Sequence, residues 1–291
     1  MSAHLALGLG LALASAFLFN LSYMLQHQAL DGGPSVDIVH PLATVKSLFE
    51  DKPWLIGTVA GAGGFVIHGV ALAFAPLSLV QAFLASGLAF AVPMSVHMTG
   101  HVLTRRDTIG ATVMTSALVL LAVGSGSHES TNSFDTLVLG SVTAGTVIIS
   151  VLLVFVRGER RVEALSFAGG LLFGISDALI NALVGILKEG FVTLLVSPWL
   201  WICVATHLAA FFVWQRALQE GKSKALVTVV LMTASTNVLA IGAGFLVFGD
   251  SLGTSPAWQA VHIACFAAVA VATWLLAPAQ VAATVREAEA A

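Results

Sequence analysis

One acidic residue, Asp177, lies in the middle of a long apolar stretch and is the residue best placed to do chemistry. At about 100° per residue, it shares one face of a helix with Asn181 and with three glycines at positions 170, 174 and 185. A charged side chain is costly at membrane depth, so a carboxylate kept there is a candidate for binding a cation or a proton. A structural hydrogen bond to a neighbouring helix is the alternative, and both interpretations stay open.

Polar side chains recur on four other apolar stretches. The first stretch carries an asparagine and a tyrosine at helical spacing, and the second carries a histidine at the end of a glycine stripe. The third and the eighth carry amides at corresponding places. Such groups either line a polar cavity or simply cross-link helices. The predicted binding residues are Asp177, Asn181, Asn20, Tyr23, Gln81, His68 and Asn237.

The histidines also raise the question of a metal site, but only His97 and His101 form an HxxxH pair. A transition-metal site usually needs three or four ligands with supporting partners, and no Cys or acid lies near this pair. Metal ligands are therefore left unassigned. Catalysis by paired acids would need two carboxylates at one depth, whereas Asp250 lies at the end of its stretch and Asp177 in the middle. We therefore expect neither an enzyme nor a bound cofactor.

Composition indicates a membrane protein. Hydrophobic residues make up 58% of the 291 residues and charged residues only 9%, with a mean hydropathy of +0.96. In soluble domains about a quarter of the residues are charged. The first apolar stretch lacks the basic segment that begins a secretory signal, so we expect a retained helix. Both cysteines, Cys203 and Cys265, lie inside apolar stretches, which argues against a disulfide framework.

The apolar stretches predict an all-α polytopic membrane protein with nine transmembrane helices. About 30 Å of hydrocarbon needs roughly 20 helical residues, and the sequence lacks the alternation of a β-barrel. Residues 53–104 contain no Asp, Glu, Lys or Arg and leave room for two crossings, with Pro76 as the natural break. The predicted spans are 4–27, 54–75, 78–99, 108–125, 135–156, 163–186, 194–215, 225–248 and 257–277.

Basic residues set the predicted orientation. Of the 12 Lys and Arg residues, all but Lys188 fall in alternate gaps between the spans or in the C-terminal tail. Basic residues beside membrane spans stay cytoplasmic, so we expect the N-terminus outside and the C-terminus in the cytoplasm. The expected location is the cell membrane. The basic clusters then mark topology rather than a contact with nucleic acid.

The chain also contains a weak internal repeat. The tripeptide at 53–55 recurs at 198–200, and an Ala-Leu pair at 71–72 recurs at 217–218. The first copy holds five spans, an odd number, so the second copy must be inverted in the membrane. Charge agrees, because two arginines follow the third span whereas Asp250 and no base follow the eighth. Inverted repeats are typical of transporters that bind substrate where the two halves meet. The predicted units are a five-helix repeat at 1–157, an inverted four-helix repeat at 158–280 and a cytoplasmic tail at 281–291.

The segment at 71–81, Ala-Leu-Ala-Phe-Ala-Pro-Leu-Ser-Leu-Val-Gln, resembles the junction between the second and third helices of the drug/metabolite transporter (DMT, EamA-like) superfamily. Ala-Ser-Gly at 85–87 and Gly-His-Val-Leu at 100–103 follow it. That superfamily usually has Gly-Glu-Arg-Leu there, so His101 replaces the acid. Nine helices, with Lys-Pro-Trp at 52–54 opening the second, look most like the NIPA-type branch, whose members are associated with magnesium transport. The resemblance implies the fold more firmly than the cargo.

Two functions follow from these observations. The preferred one is secondary transport of a small solute by alternating access. In one form of this hypothesis, transport is coupled to protons that bind Asp177. The alternative, implied by the NIPA resemblance, is a divalent-cation (Mg²⁺) transporter or channel, since Mg²⁺ favours carboxylates. The expected partners are the lipid bilayer, a small-molecule or cation substrate and, in the coupled version, protons. Glycine-rich helix faces could pack within one chain or between two, so a homodimer is also compatible with the sequence.

Overall fold

The computed structural model describes residues 2–31, 52–87, 89–90, 104–124, 132–221, 225–252 and 255–285. Within these ranges the chain is helical, with turns and short loops between the helices and no β-strand, which confirms the predicted all-α class. The helices are α1 (Ala3–Asp31), α2 (Lys52–Leu72), α3 (Leu77–Ala85), α4 (Arg105–Gly124), α5 (Thr136–Val154), α6 (Arg161–Glu189), α7 (Phe191–Val196), α8 (Pro198–Glu220), α9 (Ala225–Leu246) and α10 (Pro256–Val285).

Helix length and composition identify 7 candidate membrane spans in the described part of the chain: α1, α2, α4, α5, α6, α8 and α10. The helix α9 (Ala225–Leu246) is also apolar, and its described apolar segment is Val230–Leu246. Of the predicted third span, residues 91–99 lie outside the described residues. The chain is therefore a multi-pass helical membrane protein, whereas the count of nine spans stays a prediction.

The break between α2 and α3 lies at the predicted proline. The helix α2 ends at Leu72, a turn covers 73–76, and α3 begins at Leu77 with Pro76 at its N-cap. Proline has no backbone N–H and cannot continue α2, whereas the start of a helix tolerates it. The end of α2 and the start of α3 are therefore close together.

The connection between α6 and α8 differs from the prediction. The predicted seventh span began at residue 194, but the short helix α7 ends at Val196, and α8 begins at Pro198. Gly190 has a φ of +139°, which other residues rarely adopt, and turns the chain out of α6. The Ser197 hydroxyl then accepts a backbone N–H from the first turn of α8. No sequence feature indicates α7, because its apolar residues have the same composition as the span that follows.

Pairs of long helices build the bundle. The helix α1 packs along α2 and against α3, α6 packs along α8 and α9, and α4 packs along α10, while α3 meets α9 and α5 lies on α6. Buried apolar side chains join α1, α3, α4, α6 and α10 into one main core. Large apolar side chains stay exposed on the outward faces, such as Leu137 on α5 at 82% and Val238 on α9 at 70%. Faces of this kind suit hydrocarbon.

The two ends of the bundle differ in charge. We call the end at which α1 begins the N-terminal end and the end at which α10 finishes the C-terminal end. Every described basic residue lies at the C-terminal end, except Lys188 near the end of α6. At the C-terminal end, the Arg106 guanidinium lies 4.5 Å from the centroid of the Trp274 ring, and Arg161 pairs with Glu220 at 2.7 Å. This asymmetry agrees with the alternation of charge in the sequence.

Candidate functional site

Asp177 lies where three helices meet. Its Oδ2 accepts a hydrogen bond from Gln81 Nε2 of α3 at 2.8 Å, and its Oδ1 lies 3.8 Å from His68 Nδ1 of α2. The Asp177 side chain is 15% exposed and the His68 side chain 2%, and Gln81 is also buried. The structure thus brings together three of the predicted binding residues, each from a different helix. Neither neighbour carries a fixed charge, so the carboxylate is free to exchange a proton or to bind a cation.

Close helix packing orients His68. Its ring meets the Phe19 ring of α1 edge-on, with 6.3 Å between the centroids. Gly64 lets α1 approach, since a Cβ there would lie 3.1 Å from the Phe19 ring. Nδ1 is the His68 nitrogen near Asp177, while Nε2 is buried and has no hydrogen-bond partner among the described residues. A buried nitrogen without a partner is rare, and beside a carboxylate it marks a polar site rather than an ordinary packing position.

A second histidine, His207 of α8, contacts Ser176, the residue before Asp177. His207 is not among the binding residues predicted from the sequence. Its Nδ1 lies 3.0 Å from the hydroxyl of Ser176, the residue before the central acid, and that hydroxyl also lies 3.8 Å from Cys203 Sγ. The His207 ring packs edge-on against Phe65 and Phe173, with centroid distances of 5.0 and 5.3 Å. The signal available in the sequence was the position of His207 near the middle of a span, one turn after Cys203.

Asn181 lies one turn beyond Asp177 on α6 but belongs to a separate group, which we call the Asn132 cluster (Asn132, Asn181 and Lys188). Asn132 Nδ2 donates to Asn181 Oδ1 at 2.8 Å and to the carbonyl of Leu72, the last residue of α2, at 3.1 Å. Lys188 Nζ donates to Asn132 Oδ1 at 2.6 Å. The cluster therefore ties the ends of α2 and α6 to the loop before α5, at the N-terminal end.

The other predicted residues lie elsewhere. Asn20 donates to a carbonyl one turn earlier in α1, at 2.9 Å, and packs against Gly87 beyond the end of α3. Asn237 is half-buried on α9, next to a threonine whose hydroxyl donates to an α6 carbonyl at 3.1 Å. Tyr23 lies on α1, and its side chain is outside the described residues. A binding role for these three residues stays a prediction.

The glycines on the Asp177 face of α6 touch the backbone of neighbouring segments. A Cβ at Gly174 would lie 2.7 Å from a carbonyl oxygen of α9, and Gly170 meets the same helix. At the other end of this face, a Cβ at Gly185 would lie 2.5 Å from the carbonyl oxygen of Asn132. Only glycine fits at such positions. These glycines therefore allow α6 to approach the backbone of α9 and of the loop before α5 closely.

Asp250, the acid that the sequence placed at the end of its span, caps a helix. Its Oδ2 accepts the backbone N–H of Ser78, in the first turn of α3, at 2.8 Å. Burial raises the pKa of Asp250, and the hydrogen bonds from Ser78 oppose that shift. Gly244 permits the approach, since a Cβ there would lie 2.6 Å from Oδ2. The carboxylate thus links the loop after α9 to α3, where a helix start favours negative charge.

A cavity of about 830 Å³ lies at the N-terminal end beside the Asn132 cluster. Its walls come from the loop before α5, the end of α6, the helix α7 and the start of α8. The size is typical of small-molecule pockets. Asp177 is not among the lining residues, so the cavity is separate from the group around that acid. The lining residues are Asn132, Ser133, Phe134, Thr136, Gly185, Ile186, Lys188, Glu189, Thr193, Val196, Ser197, Pro198 and Trp199.

A preformed metal site is not found in the described ranges, because no three His, Cys, Asp or Glu side chains there lie close enough to hold one ion. The pair His97 and His101 falls outside these ranges. The group around Asp177 offers carboxylate oxygens beside an amide and two imidazoles. A cation bound to Asp177 would need water or a solute to complete its shell.

Comparison with known proteins relates the chain to a transporter. It is 27% identical over 231 residues to the probable magnesium transporter NIPA9 of Arabidopsis thaliana, and the match covers 74% of this chain. The chain spans 66% of that relative, just under two thirds of its length. It is also 24% identical over 246 residues to an uncharacterised protein of Corynebacterium glutamicum, a match that covers 82% of this chain and 83% of that protein. No protein-family model and no solved structure matches the chain. Together with its apolar helices, the first match identifies a multi-pass membrane protein with similarity to NIPA-type transporters.

Proposed function

We propose that the protein is a secondary transporter, which moves a small solute across the membrane by alternating access and binds it at a central site that includes Asp177. The observation that carries this proposal is the meeting of Asp177, Gln81 and His68 from three different helices in a chain similar to a transporter. In the described contacts no Lys or Arg neutralises Asp177. Its carboxylate is therefore available to a cargo, or to a proton that is exchanged for the cargo.

The pairing of helices supports two inverted repeats of the DMT type, at 1–157 and 158–280. Let α1, α2, α3 and α4 correspond to α6, α8, α9 and α10. The pair α1–α2 then corresponds to α6–α8, and the pair α1–α3 to α6–α9. In addition, α3 packs on its own counterpart α9, and α4 on its counterpart α10. A two-fold axis in the membrane plane would produce pairs of this kind.

The distribution of charge supports the orientation. All described Lys and Arg residues except Lys188 lie at the C-terminal end of the bundle. Basic residues remain on the cytoplasmic side of a cell membrane. The N-terminal end, with the cavity and the Asn132 cluster, would then face outside, and the tail at 281–291 would lie in the cytoplasm.

A divalent cation, Mg²⁺, is the second candidate cargo, because one relative is named as a probable magnesium transporter. The Asp177 carboxylate is an oxygen ligand of the type that Mg²⁺ prefers, and Mg²⁺ usually keeps several of its waters. The imidazoles of His68 and His207 are poorer ligands for this ion. The group therefore supports a cation and an organic solute about equally.

The substitution Asp177→Asn tests the proposal in purified protein. Thermal unfolding in detergent with a panel of divalent ions and metabolites identifies a cargo, and uptake of that cargo into vesicles measures transport. We expect Asp177→Asn to abolish gradient-driven transport and to leave the unfolding temperature near wild type, because the amide oxygen still accepts from Gln81. A matched control is Asp135→Asn, at the exposed N-cap of α5, where asparagine caps as well as aspartate.

The two cargo classes give different results. Stabilisation by millimolar Mg²⁺ that disappears in Asp177→Asn selects the cation, and stabilisation by a metabolite selects the solute. Full gradient-driven transport by Asp177→Asn would remove this carboxylate from the mechanism.

A further inference from the structure

The cavity at the N-terminal end is lined by one Lys or Arg side chain, Lys188, which forms no ion pair with a described carboxylate. The Lys188 ammonium donates to the neutral amide oxygen of Asn132 at 2.6 Å, and no described carboxylate lies within 4.0 Å of it. Glu189 follows directly and also lines the cavity, but its carboxylate forms no ion pair with the Lys188 ammonium. An ammonium has three N–H donors, so two remain for a ligand.

The position of Lys188 is unusual for this chain. It is the one basic residue described at the N-terminal end, against the charge pattern that orients the protein. It also lies on the Asp177 face of α6, because residues 177 and 188 are separated by about three turns at 3.6 residues per turn. Asn181, on the same face between them, is joined to Lys188 through Asn132. The ammonium therefore lies above the polar face that leads to the central acid.

The walls of the cavity suit an organic anion better than a bare ion. A volume of about 830 Å³ is far larger than an ion requires and falls in the range of small-molecule pockets. Phe134 and Trp199 form an edge-to-face pair, with 5.9 Å between their centroids, and supply an apolar wall. Side-chain hydroxyls supply further hydrogen-bonding groups. The hydroxyl-bearing residues of the lining are Ser133, Thr136, Thr193 and Ser197.

We propose that this cavity is a binding site for an anionic group, a carboxylate or a phosphate, with Lys188 as its counter-charge. Hydrogen bonds between an ammonium and an anion are shorter and stronger than those to a neutral amide oxygen. A bound anion can therefore take the two remaining donors of Lys188 while the third stays on Asn132. The site is separate from Asp177 and does not depend on the cargo that Asp177 binds.

Two sources can supply the same anionic chemistry. A dissolved anion enters from the aqueous side, whereas a lipid headgroup enters from the membrane surface. The helix α7 borders the cavity and exposes apolar side chains, with Val192 and Val196 each 73% exposed. Such a helix would lie in the membrane surface, so both routes lead to Lys188.

The test measures apparent dissociation constants by thermal unfolding of the full chain in an uncharged detergent. One arm titrates sodium phosphate against sodium chloride of equal ionic strength, and the other titrates dihexanoyl-phosphatidylglycerol below its micelle concentration. We expect stabilisation in at least one arm. Lys188→Gln removes the charge but keeps a donor for Asn132, and should weaken binding about tenfold or more. Lys188→Arg should retain binding, as should Lys52→Gln, a charge-matched control at the opposite end of the bundle.

The outcomes separate the sources and the proposals. Stabilisation by phosphate assigns a dissolved anion, and stabilisation by the lipid alone assigns a headgroup. The anion site is overturned if wild type responds in neither arm, or if Lys188→Gln binds as tightly as wild type. Asp177→Asn should bind the anion like wild type. Failure of the anion site therefore leaves the role of Asp177 intact, and failure of transport in Asp177→Asn says nothing against Lys188.

Discussion

Replacing Gly185 by alanine should disrupt the Asn132 cluster by pushing on the loop before α5. A Cβ at residue 185 would lie 2.5 Å from the carbonyl oxygen of Asn132 and 3.2 Å from its Cβ. Cβ atoms essentially never approach an oxygen so closely, and the obstacle is backbone, so the loop must move. The movement draws Asn132 away from Asn181 and Leu72, with which it now forms hydrogen bonds of 2.8 and 3.1 Å.

Three contributions determine the change in the free energy of unfolding. Overpacking costs about 1–3 kcal/mol, and each weakened hydrogen bond costs about 1 kcal/mol. Alanine returns about 1 kcal/mol through its higher helix propensity. Because movement of the loop relieves the overpacking, the first two costs do not add in full. We expect Gly185→Ala to destabilise the protein by about 2 kcal/mol.

Unfolding by heat or denaturant in detergent measures this change, with Gly145→Ala as the matched control. A Cβ at Gly145, within α5, meets nothing within 4 Å, so that variant should match or exceed wild-type stability by up to about 1 kcal/mol. Equal stability of the two variants would show that residue 185 does not press on Asn132, and would refute the argument.

Two other positions provide further tests. Gly244→Ala should push the Asp250 carboxylate away from the first turn of α3 and cost about 1 kcal/mol of unfolding free energy, a typical value for a helix N-cap. Gly242→Ala is the control, since its Cβ meets nothing within 4 Å. For Glu220, burial opposes but the two arginine partners lower the pKa below its ordinary 4.5. Its stabilising effect is therefore full above that value and is lost as the pH falls through the lowered pKa. Glu220→Gln should cost under about 1 kcal/mol at neutral pH, and unfolding between about pH 3 and pH 7 should show a smaller loss on acidification in the variant than in wild type.

Part of the group around Asp177 could be predicted from the sequence, because few types of side chain are suitable neighbours for a carboxylate inside a membrane. A carboxylate inside an apolar stretch needs polar neighbours, and amides and histidines on other stretches are the natural ones. Gln81 and His68 met that description and do lie beside Asp177. Asn181 met it equally well, yet its partner is Asn132. Periodicity identifies the face of a helix but does not tell which neighbour that face meets.

The features that the sequence did not reveal depend on three-dimensional contacts. Asn132 lies in a connection between spans, and only the structure shows that its side chain is buried against α2 and α6. His207 of α8 is positioned by its contact with Ser176 of α6, and no repeat or motif in the sequence indicates that contact. The helix α7 begins after Gly190, whose φ of +139° cannot be read from an apolar sequence. Asn132 and His207 are thus positioned by contacts with residues that are distant in the sequence, and local sequence patterns do not reveal such contacts.

The helix α6 packs more closely against α9 than against α2, and this difference affects how the helices can move. A Cβ at Gly174 would lie 2.7 Å from the backbone of α9, so the two helices are in close backbone contact there and we expect them to move together. At the contact with α2, the nearest atom to a Cβ at Gly69 would be Ile180 Cγ2 of α6, at 3.9 Å, which is ordinary contact. The α2–α6 seam is therefore the weaker one. If access to Asp177 switches between the two ends, that seam should part first, and the separation of His68 from Asp177 should lengthen from 3.8 Å.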